Sequence, residues 1–222
     1  MKYNNVGAGR FIARPNRFIA QVELDGFVET VHVKNTGRCR ELLVPGAVVY
    51  LSDSGNPKRK TRYDLIAVEK GDRLINMDSQ APNAAAVEWL RKGNLFPAGM
   101  RIKPEYTYGD SRFDIGILTP ELALLEVKGV TLERDGAVFF PDAPTLRGTK
   151  HLRELAAFPG ESYVLFVIQM KDVSYFAPNE ATDPAFAQAL RQARDAGVHI
   201  LAYDCHVTPD SMELADPVEV RL

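Results

Sequence analysis

Between Phe11 and Asp78 the hydrophobic and polar positions alternate in short runs that Gly, Asn and Pro interrupt. Alternation with a period of two is typical of strands with one buried face. The pattern predicts five strands, at residues 18–24, 27–33, 47–52, 63–69 and 74–77. Asp25-Gly26 is a strong hairpin signal between the first two, so these strands indicate a small barrel.

Residues 37–43, which precede the strand at 47–52, are expected to form one or two helical turns that Pro45-Gly46 stops. A short helix inside a five-stranded barrel is typical of the oligonucleotide-binding (OB) fold. The aromatic residues Phe11, Phe18 and Phe27 are predicted to fill the barrel core, with base stacking on its face as the alternative.

After residue 80 the pattern changes to that of a mixed α/β domain. Asn83 is expected to cap a helix that ends at Gly93. Further strands are predicted at residues 102–108, 111–118, 123–132, 138–140, 163–168 and 198–207, with helices at 145–158 and 184–196. The strand at 163–168 is apolar throughout, which indicates burial on both faces between helices. We therefore predict a barrel domain at 1–82 and an α/β domain at 83–222.

Two carboxylates and a lysine fall on neighbouring predicted strands of the second domain. Asp114 lies in one strand, and Glu126-Val127-Lys128 lies in the next, with Glu126 and Lys128 on the same face. Carboxylates held together among Ile, Leu and Val repel each other unless a hard cation such as Mg²⁺ or Mn²⁺ lies between them. An Asp followed by Glu-x-Lys on the next strand matches the PD-(D/E)xK signature of restriction-endonuclease-like nucleases.

In this interpretation Asp114 and Glu126 hold the metal, and Lys128 positions and helps deprotonate the attacking water. Glu105, on the preceding strand, and Glu88, on the helix, compete for the role of a third carboxylate, and we favour Glu105. His151 is expected to be structural rather than a ligand.

Charge is distributed unevenly along the chain. Residues 1–82 carry 13 Lys and Arg against 9 Asp and Glu, whereas the remainder carries 14 against 20. A basic barrel fits an anionic polymer such as DNA. The candidate phosphate contacts lie at turns and at the start of the helix at 145–158: Arg14, Arg17, Lys34, Arg38, Lys58, Arg59, Lys60, Arg62, Arg147 and Lys150. The alternative is that these cations are merely solvated.

Composition excludes several classes of protein. No stretch approaches the ~20 apolar residues of a membrane span, and the first residues form no apolar signal region, so we expect a cytoplasmic protein with no membrane partner. Cys39 and Cys205 are distant in sequence and form no Cys-x-x-Cys pair, which indicates neither a disulfide framework nor a zinc site.

Several motifs together resemble the sugar fermentation stimulation protein A family. They include Arg14-Pro15-Asn16-Arg17-Phe18, Asn35-Thr36-Gly37-Arg38, Ser111-Arg112-Phe113-Asp114, residues 126–132 and Phe140-Pro141-Asp142-Ala143. The resemblance implies an N-terminal OB-fold barrel, a C-terminal restriction-endonuclease-like domain, DNA binding without marked sequence preference, and a regulatory link to maltose use. Asp114, Glu126 and Lys128 fall on the nuclease signature, and Glu105 falls on a further acidic position of the family pattern.

Three functions compete at this point. The first is a Mg²⁺- or Mn²⁺-dependent nuclease, which the complete Asp, Glu-x-Lys set favours. The second is a DNA-binding regulator of sugar metabolism that does not cleave. A sugar-binding regulator is the third, and only the family's name suggests it. The residues leave open whether the substrate is DNA or RNA, and whether it is single- or double-stranded. They also leave open whether cleavage starts at an end or within the strand, and whether the protein forms a homodimer.

Overall fold

The architecture is that of a computed structural model, which describes residues 1–35, 37–118 and 121–222. Six strands form the first sheet: β1 (Val6–Asn16), β2 (Ile19–Leu24), β3 (Phe27–Val33), β4 (Val48–Asp53), β5 (Tyr63–Lys70) and β6 (Arg73–Asn76). Their order is β3-β2-β1-β4-β5-β6, and β3 also pairs with β5. That pairing closes a five-stranded barrel and confirms the predicted OB-like N-terminal part.

The first strand was not predicted, because its sequence carries little hydrophobic alternation. Within β1 only Phe11 is fully buried. The strand is held instead by backbone pairing with β2 on one side and β4 on the other. Gly9 allows a close approach to β2, since a Cβ there would lie 2.6 Å from Val22 Cγ1. Backbone packing of this kind leaves no periodic signal in the side chains.

Residues 37–43, where one or two helical turns are predicted, form a single turn. The backbone N–H groups of Leu42 and Leu43 both donate to the Cys39 carbonyl, at 3.2 and 2.9 Å. Cys39 itself has φ of +45°, a left-handed value that helix propagation does not tolerate. Thr36 lies outside the described residues.

The second part of the chain is built on a six-stranded mixed sheet of order β15-β14-β12-β9-β8-β7. Its strands are β7 (Arg101–Tyr108), β8 (Ser111–Leu118), β9 (Leu122–Val130), β12 (Ser162–Ile168), β14 (His199–Thr208) and β15 (Ser211–Pro217). A smaller three-stranded sheet contains β10 (Leu132–Arg134), β11 (Ala137–Phe140) and β13 (Phe176–Pro178). The predicted strand at 123–132 is therefore wrong at its end, because the chain leaves one sheet after Val130 and enters the other at Leu132. β13 and β15 were not predicted.

Helices cover both faces of the central strand, as the apolar run predicted. Alternate residues of β12 belong to different clusters: Val164 and Phe166 pack with α2 (Leu146–Ala157) and α3 (Pro184–Asp195), whereas Leu165 packs with α1 (Ala81–Arg91). All seven residues of β12 are buried. This sandwich of helices around a mixed sheet confirms the predicted α/β architecture.

The start of α1 differs from the prediction. The helix begins at Ala81 after Gln80, with Pro82 in its first turn and no side-chain cap. Asn83 is therefore not the cap, and its side chain is free for another partner. The predicted boundary at residue 82 stays a prediction. No helix among the described residues is long and apolar enough to cross a membrane.

Ion pairs and hydrogen bonds from a side-chain amide connect the barrel to the α/β part. Glu133 accepts hydrogen bonds from Lys70 at 2.6 Å and from Arg73 at 2.8 Å. The buried side chain of Gln169 donates to the backbone carbonyls of Asn76 and Asp78, at 3.0 and 3.1 Å. Buried and satisfied polar contacts of this kind hold two packed units in one orientation.

Candidate functional site

Asp114 and Glu126 lie on neighbouring antiparallel strands, at the point where β8 and β9 separate. The register runs from Leu118 opposite Leu122 to Ile115 opposite Leu125. Beyond it the Val127 N–H donates to Asp114 Oδ2 at 2.8 Å. The Asp114 carboxylate thus accepts a hydrogen bond that a backbone carbonyl would otherwise accept. The contact holds Asp114 against the strand that carries Glu126.

The other oxygen of Asp114 is held by helix α1. Asn83 Nδ2 donates to Asp114 Oδ1 at 2.8 Å. The helix packs on the sheet through Ala85, Ala86 and Trp89, so its first turn comes close to the strand that bears Asp114. Both carboxylate oxygens of Asp114 therefore have a donor, and each oxygen keeps lone pairs for a further ligand.

Glu126 is only 3 % exposed, and its two oxygens differ sharply. Oε1 accepts a hydrogen bond from Lys128 Nζ at 2.5 Å and lies 2.5 Å from His151 Nδ1 on α2. Oε2 is buried and has no hydrogen-bond partner among the residues that the structure describes. A buried carboxylate oxygen without a partner normally costs ~1–3 kcal/mol or more, so this atom is a place where a ligand would gain affinity.

The two carboxyl groups are shifted in opposite directions. Burial, together with the negative charge of Glu126, raises the pKa of Asp114 above its ordinary value of 3.8. Burial also acts to raise the pKa of Glu126, but the hydrogen bond with His151 and the charge of Lys128 outweigh it and lower that pKa. Opposed pKa shifts in two adjacent acids are typical of functional sites.

A cleft of about 530 Å³ lies between α1 and β7 and reaches Asp114. Glu88, Arg91 and Glu105 also line it. The Glu105 side chain is 71 % exposed and lies 3.7 Å from Arg112. Glu105 lies opposite Asp114 in the register of β7 and β8, since Pro104 pairs with Ile115 and Tyr106 pairs with Phe113. Glu88 binds the N-terminal ammonium group of Met1 at 2.7 Å. The role of Glu105 as a third ligand stays a prediction.

The donor set suits a hard divalent cation with two protein carboxylates. Mg²⁺ is commonly held by one or two carboxylates and keeps several waters, whereas full protein cages are rarer. The described part of the chain contains no group of three or more His, Cys, Asp and Glu placed to hold a metal. Asp114 and Glu126, with the unpartnered Glu126 Oε2, fit a cation bound by two carboxylates.

Four of the ten predicted nucleic-acid contacts are engaged within the barrel. The guanidinium group of Arg14 donates to the backbone carbonyls of residues 17, 35, 37 and 38, at 2.7–2.9 Å. Lys34 pairs with Asp78 at 2.6 Å. Arg59 and Arg62 pair with Asp64 and Asp53, at 2.6 and 2.7 Å. These four cations shape turns, and their binding of nucleic acid stays a prediction.

The other six predicted contacts are exposed. Arg17 lies over the ring of Phe18 at 4.9 Å, and Lys150 lies 3.5 Å from Glu154. The remaining four side chains have no hydrogen bond or ion pair with any other described residue: Arg38, Lys58, Lys60 and Arg147. They are available to phosphate, and this role too stays a prediction.

The aromatic residues of the barrel divide between core and surface. Phe11 is 3 % exposed, which confirms the prediction of a core residue. Phe18 and Phe27 are 46 % and 73 % exposed, so the same prediction is wrong for them. Both lie directly after turns, Phe18 just before β2 and Phe27 as the first residue of β3.

Asn83 and His151 are the two site residues that sequence reasoning missed. Asn83 was expected to cap its helix, and His151 was expected to be structural. His151 lies on the buried face of α2 beside Leu152 and Leu155. A titratable side chain on an apolar helix face is a usable signal, because burial requires a partner. The identity of that partner depends on the helix packing over β9.

Comparison with known proteins agrees with both halves of the fold. A family model described as "Sugar fermentation stimulation protein RE domain" matches residues 80–211, and one described as "SfsA N-terminal OB domain" matches residues 12–77. Two relatives are each called "Sugar fermentation stimulation protein homolog". The one from Desulfitobacterium hafniense (strain Y51) is 57% identical, over 100% of this chain and 99% of its own length. The one from Ruminiclostridium cellulolyticum is 56% identical, over 100% of both chains.

A solved structure is also similar along the whole chain. It is the structure of Pyrococcus furiosus SfsA in complex with Ca²⁺, with a TM-score of 0.88 and 28% sequence identity. The match covers 100% of this chain and 98% of that one. Barrel and α/β part are therefore arranged similarly in the two proteins.

Proposed function

Because this chain belongs to the sugar fermentation stimulation protein family, we propose that it is a DNA-binding protein with a divalent-metal-dependent phosphodiesterase site at Asp114, Glu126 and Lys128. Binding rests on phosphate contacts from the basic barrel, which carry no sequence preference. The proposed metal is Mg²⁺ or Mn²⁺. The protein acts in this proposal as a nuclease with a cytoplasmic location.

The observation that carries the proposal is the state of Glu126. Its carboxylate is buried and its pKa is lowered, yet Oε2 has no partner in the described part of the chain. A divalent cation beside Asp114 would supply that partner and would offset the repulsion between the two carboxylates. The Ca²⁺ complex of the Pyrococcus furiosus relative supports the proposal, since Ca²⁺ is another hard cation that takes oxygen ligands.

The side chains divide the work. A bound divalent cation polarises a phosphate and neutralises the charge that develops on it. Asp114 is oriented by Asn83 and the Val127 N–H, and Glu126 is oriented by His151, so the two carboxylates are held before any substrate arrives. Lys128 Nζ is held 2.5 Å from Glu126 Oε1, where it can position a water and assist removal of its proton.

The test is cleavage by purified protein. Single- and double-stranded DNA are incubated with Mg²⁺, Mn²⁺ or EDTA, and products are separated by length. We expect cleavage with either metal, none with EDTA, and loss of cleavage in Asp114→Ala. The control Glu219→Gln changes an exposed carboxylate that pairs with Arg221 and should cleave normally. Cleavage undiminished in Asp114→Ala would sink the site assignment.

A DNA-binding regulator of sugar metabolism that does not cleave is the second candidate. Arg38, Lys58 and Lys60 favour it, because they are exposed and unpaired among the described residues and such cations can bind phosphate without a metal. Affinity that falls steeply with salt, with no cleavage of any nucleic acid in either metal, would select this function.

A further inference from the structure

Three concave regions of the surface share residues and form one groove. The first, which we name the arginine pocket, holds about 400 Å³ and is lined by Arg14, Arg17, Gly37, Arg38 and Arg40 among others. Gly37 also lines a second cleft, of about 170 Å³, between the barrel and residues 129–132. Ser79 lines that cleft and the 530 Å³ cleft of Asp114 as well. The three clefts therefore adjoin one another in a row, from the barrel arginines at one end to Asp114 at the other.

The two ends of this groove carry opposite charge. Among the described residues, four arginines and no acidic residue line the arginine pocket. The guanidinium of Arg14 is occupied by backbone carbonyls, whereas Arg38 and Arg40 are exposed and have no hydrogen bond or ion pair within the described ranges. The far end is lined by three acids, Glu88, Glu105 and Asp114, and by one arginine, Arg91, so acids outnumber cations there. One end suits phosphate directly, and the other suits phosphate only through a cation.

The middle of the groove is so narrow that two positions along it have room only for glycine. A Cβ at Gly37 would lie 2.4 Å from Asp142 Oδ2, and a Cβ at Gly129 would lie 2.5 Å from Gln169 Oε1. The space of about 170 Å³ is smaller than the ~300–1,000 Å³ of a drug-sized ligand site. It accommodates part of one nucleotide at a time, which excludes a double helix.

We infer that the groove carries one single strand of nucleic acid, anchored by phosphates on Arg17, Arg38 and Arg40 and running past Ser79 to Asp114. This inference rests on the proposed function and names its substrate class. Phe18 is half exposed beside Arg17 and offers a base a stacking surface next to the first phosphate. The arginine end provides affinity without metal, and the carboxylate end requires one.

The groove is tested at Ser79, its midpoint. The Ser79 side chain is exposed and donates to the Lys34 carbonyl, so Ser79→Cys introduces a thiol with little change in shape. The two native thiols are buried, and burial raises the pKa of Cys39 to about 12 and also raises that of Cys205. Both should react slowly, because the thiolate is the nucleophile. Alkylation by a maleimide thus reports on position 79.

The probes are a single-stranded oligonucleotide and the same sequence as a blunt duplex, both in EDTA so that no cleavage occurs. At about ten times its Kd, the single strand should slow alkylation at position 79 about tenfold, in proportion to occupancy. The duplex at equal occupancy should protect weakly. Equal protection by the duplex, binding of the single strand without protection, or no binding of the single strand would each overturn the inference.

The anchor is tested by Arg38→Gln combined with Arg40→Gln in the Ser79→Cys protein. Loss of two phosphate contacts should lower the slope of log affinity against log salt by about 1.4 for a single strand. The control is Arg194→Gln, an exposed arginine on α3 that pairs with Asp195, and it should leave the slope and the protection unchanged. An unchanged slope in the double variant would remove these arginines from the path.

The outcomes separate this inference from the proposed nuclease. Protection at position 79 without metal-dependent cleavage would support the groove and count against the phosphodiesterase. Cleavage that requires Asp114, with no protection of position 79 by a single strand, would support the phosphodiesterase and count against the groove.

Discussion

The carboxylate site and the cationic barrel surface use charge in opposite ways. At the carboxylate site Glu126 is buried and Asp114 is half-buried, and among the described residues every oxygen of the two acids except Glu126 Oε2 has a partner. On the barrel the cations are mostly exposed, and several are neutralised by nearby acids or carbonyls. The carboxylate site thus offers one defined position to a ligand, whereas the barrel cations distribute the affinity for an anionic ligand over a surface.

This difference explains which sequence signals were informative. A buried charge needs partners, so an acid among apolar strand residues points to a built site. A surface cation at a turn has no such requirement. Arg14, which looks like a phosphate contact in the sequence, is instead the centre of a loop held by four carbonyls.

The largest effect is expected for Glu126→Gln. The amide keeps the shape but loses the charge that would hold a cation, so cleavage should fall about 10³-fold, which corresponds to ~4 kcal/mol. Rates of oligonucleotide cleavage in Mn²⁺ provide the measurement, with Glu219→Gln as the control. A loss below tenfold would mean that the unpartnered oxygen is not the point of metal attachment.

His151→Ala tests the same site through stability. The substitution removes a buried ring and the contact at 2.5 Å that supports Glu126, so the free energy of unfolding should fall by about 2–4 kcal/mol. Urea denaturation measures it. The matched control is His206→Ala, where the side chain is exposed, and it should stay within about 0.5 kcal/mol of wild type. Equal losses of stability in both variants would mean that the contact between His151 and Glu126 adds no more stability than an exposed histidine does.

Asp114→Asn separates function from stability. The raised pKa of Asp114 means that its protonated form favours folding: this contribution is present below the unfolded value near 3.8 and is lost as pH rises through the folded value. Without metal, the variant should therefore melt above wild type at pH 7, and the difference should shrink towards pH 3. Added Mn²⁺ should stabilise wild type alone.

Thermal melts between pH 3 and pH 8, with EDTA or with Mn²⁺, check this prediction. A difference in melting temperature that does not change with pH would contradict it. Equal stabilisation of both proteins by Mn²⁺ would place the cation away from Asp114.

The smallest effect is expected on the barrel. Lys58 and Lys60 are exposed and unpaired among the described residues, so Lys58→Gln with Lys60→Gln should lower the salt slope of single-strand binding by about 1.4. Arg59→Gln with Arg62→Gln should lower it less, because those arginines already pair with Asp64 and Asp53. Titrations at several salt concentrations compare the two pairs. Equal slopes would mean that internal pairing does not decide which cations bind.

The sequence predicted the parts of the fold that periodicity encodes. The strands flanking Asp25-Gly26, the apolar β12 and the helices on its two faces are confirmed. The adjacency of the strands bearing Asp114 and Glu126 is confirmed as well. Each of these follows from local alternation, turn residues or an apolar run.

What escaped prediction depends on contacts between distant segments. β1 is defined by backbone pairing on both sides and has only Phe11 in the core, so its side chains carry no pattern. Asn83 and His151 reach the site because α1 and α2 pack on opposite faces of one sheet. No spacing rule within either helix reveals which strand residue each will meet.

The most direct test of the account is a crystal of this protein soaked in Mn²⁺, with the ion located by anomalous scattering. We predict one site with Mn²⁺ within ~2.0–2.6 Å of Glu126 Oε2 and of an Asp114 oxygen. Mn²⁺ bound only elsewhere, for example at the exposed Glu105 and Glu88, or no bound Mn²⁺ while Glu126 Oε2 remains buried and unpartnered, would contradict it.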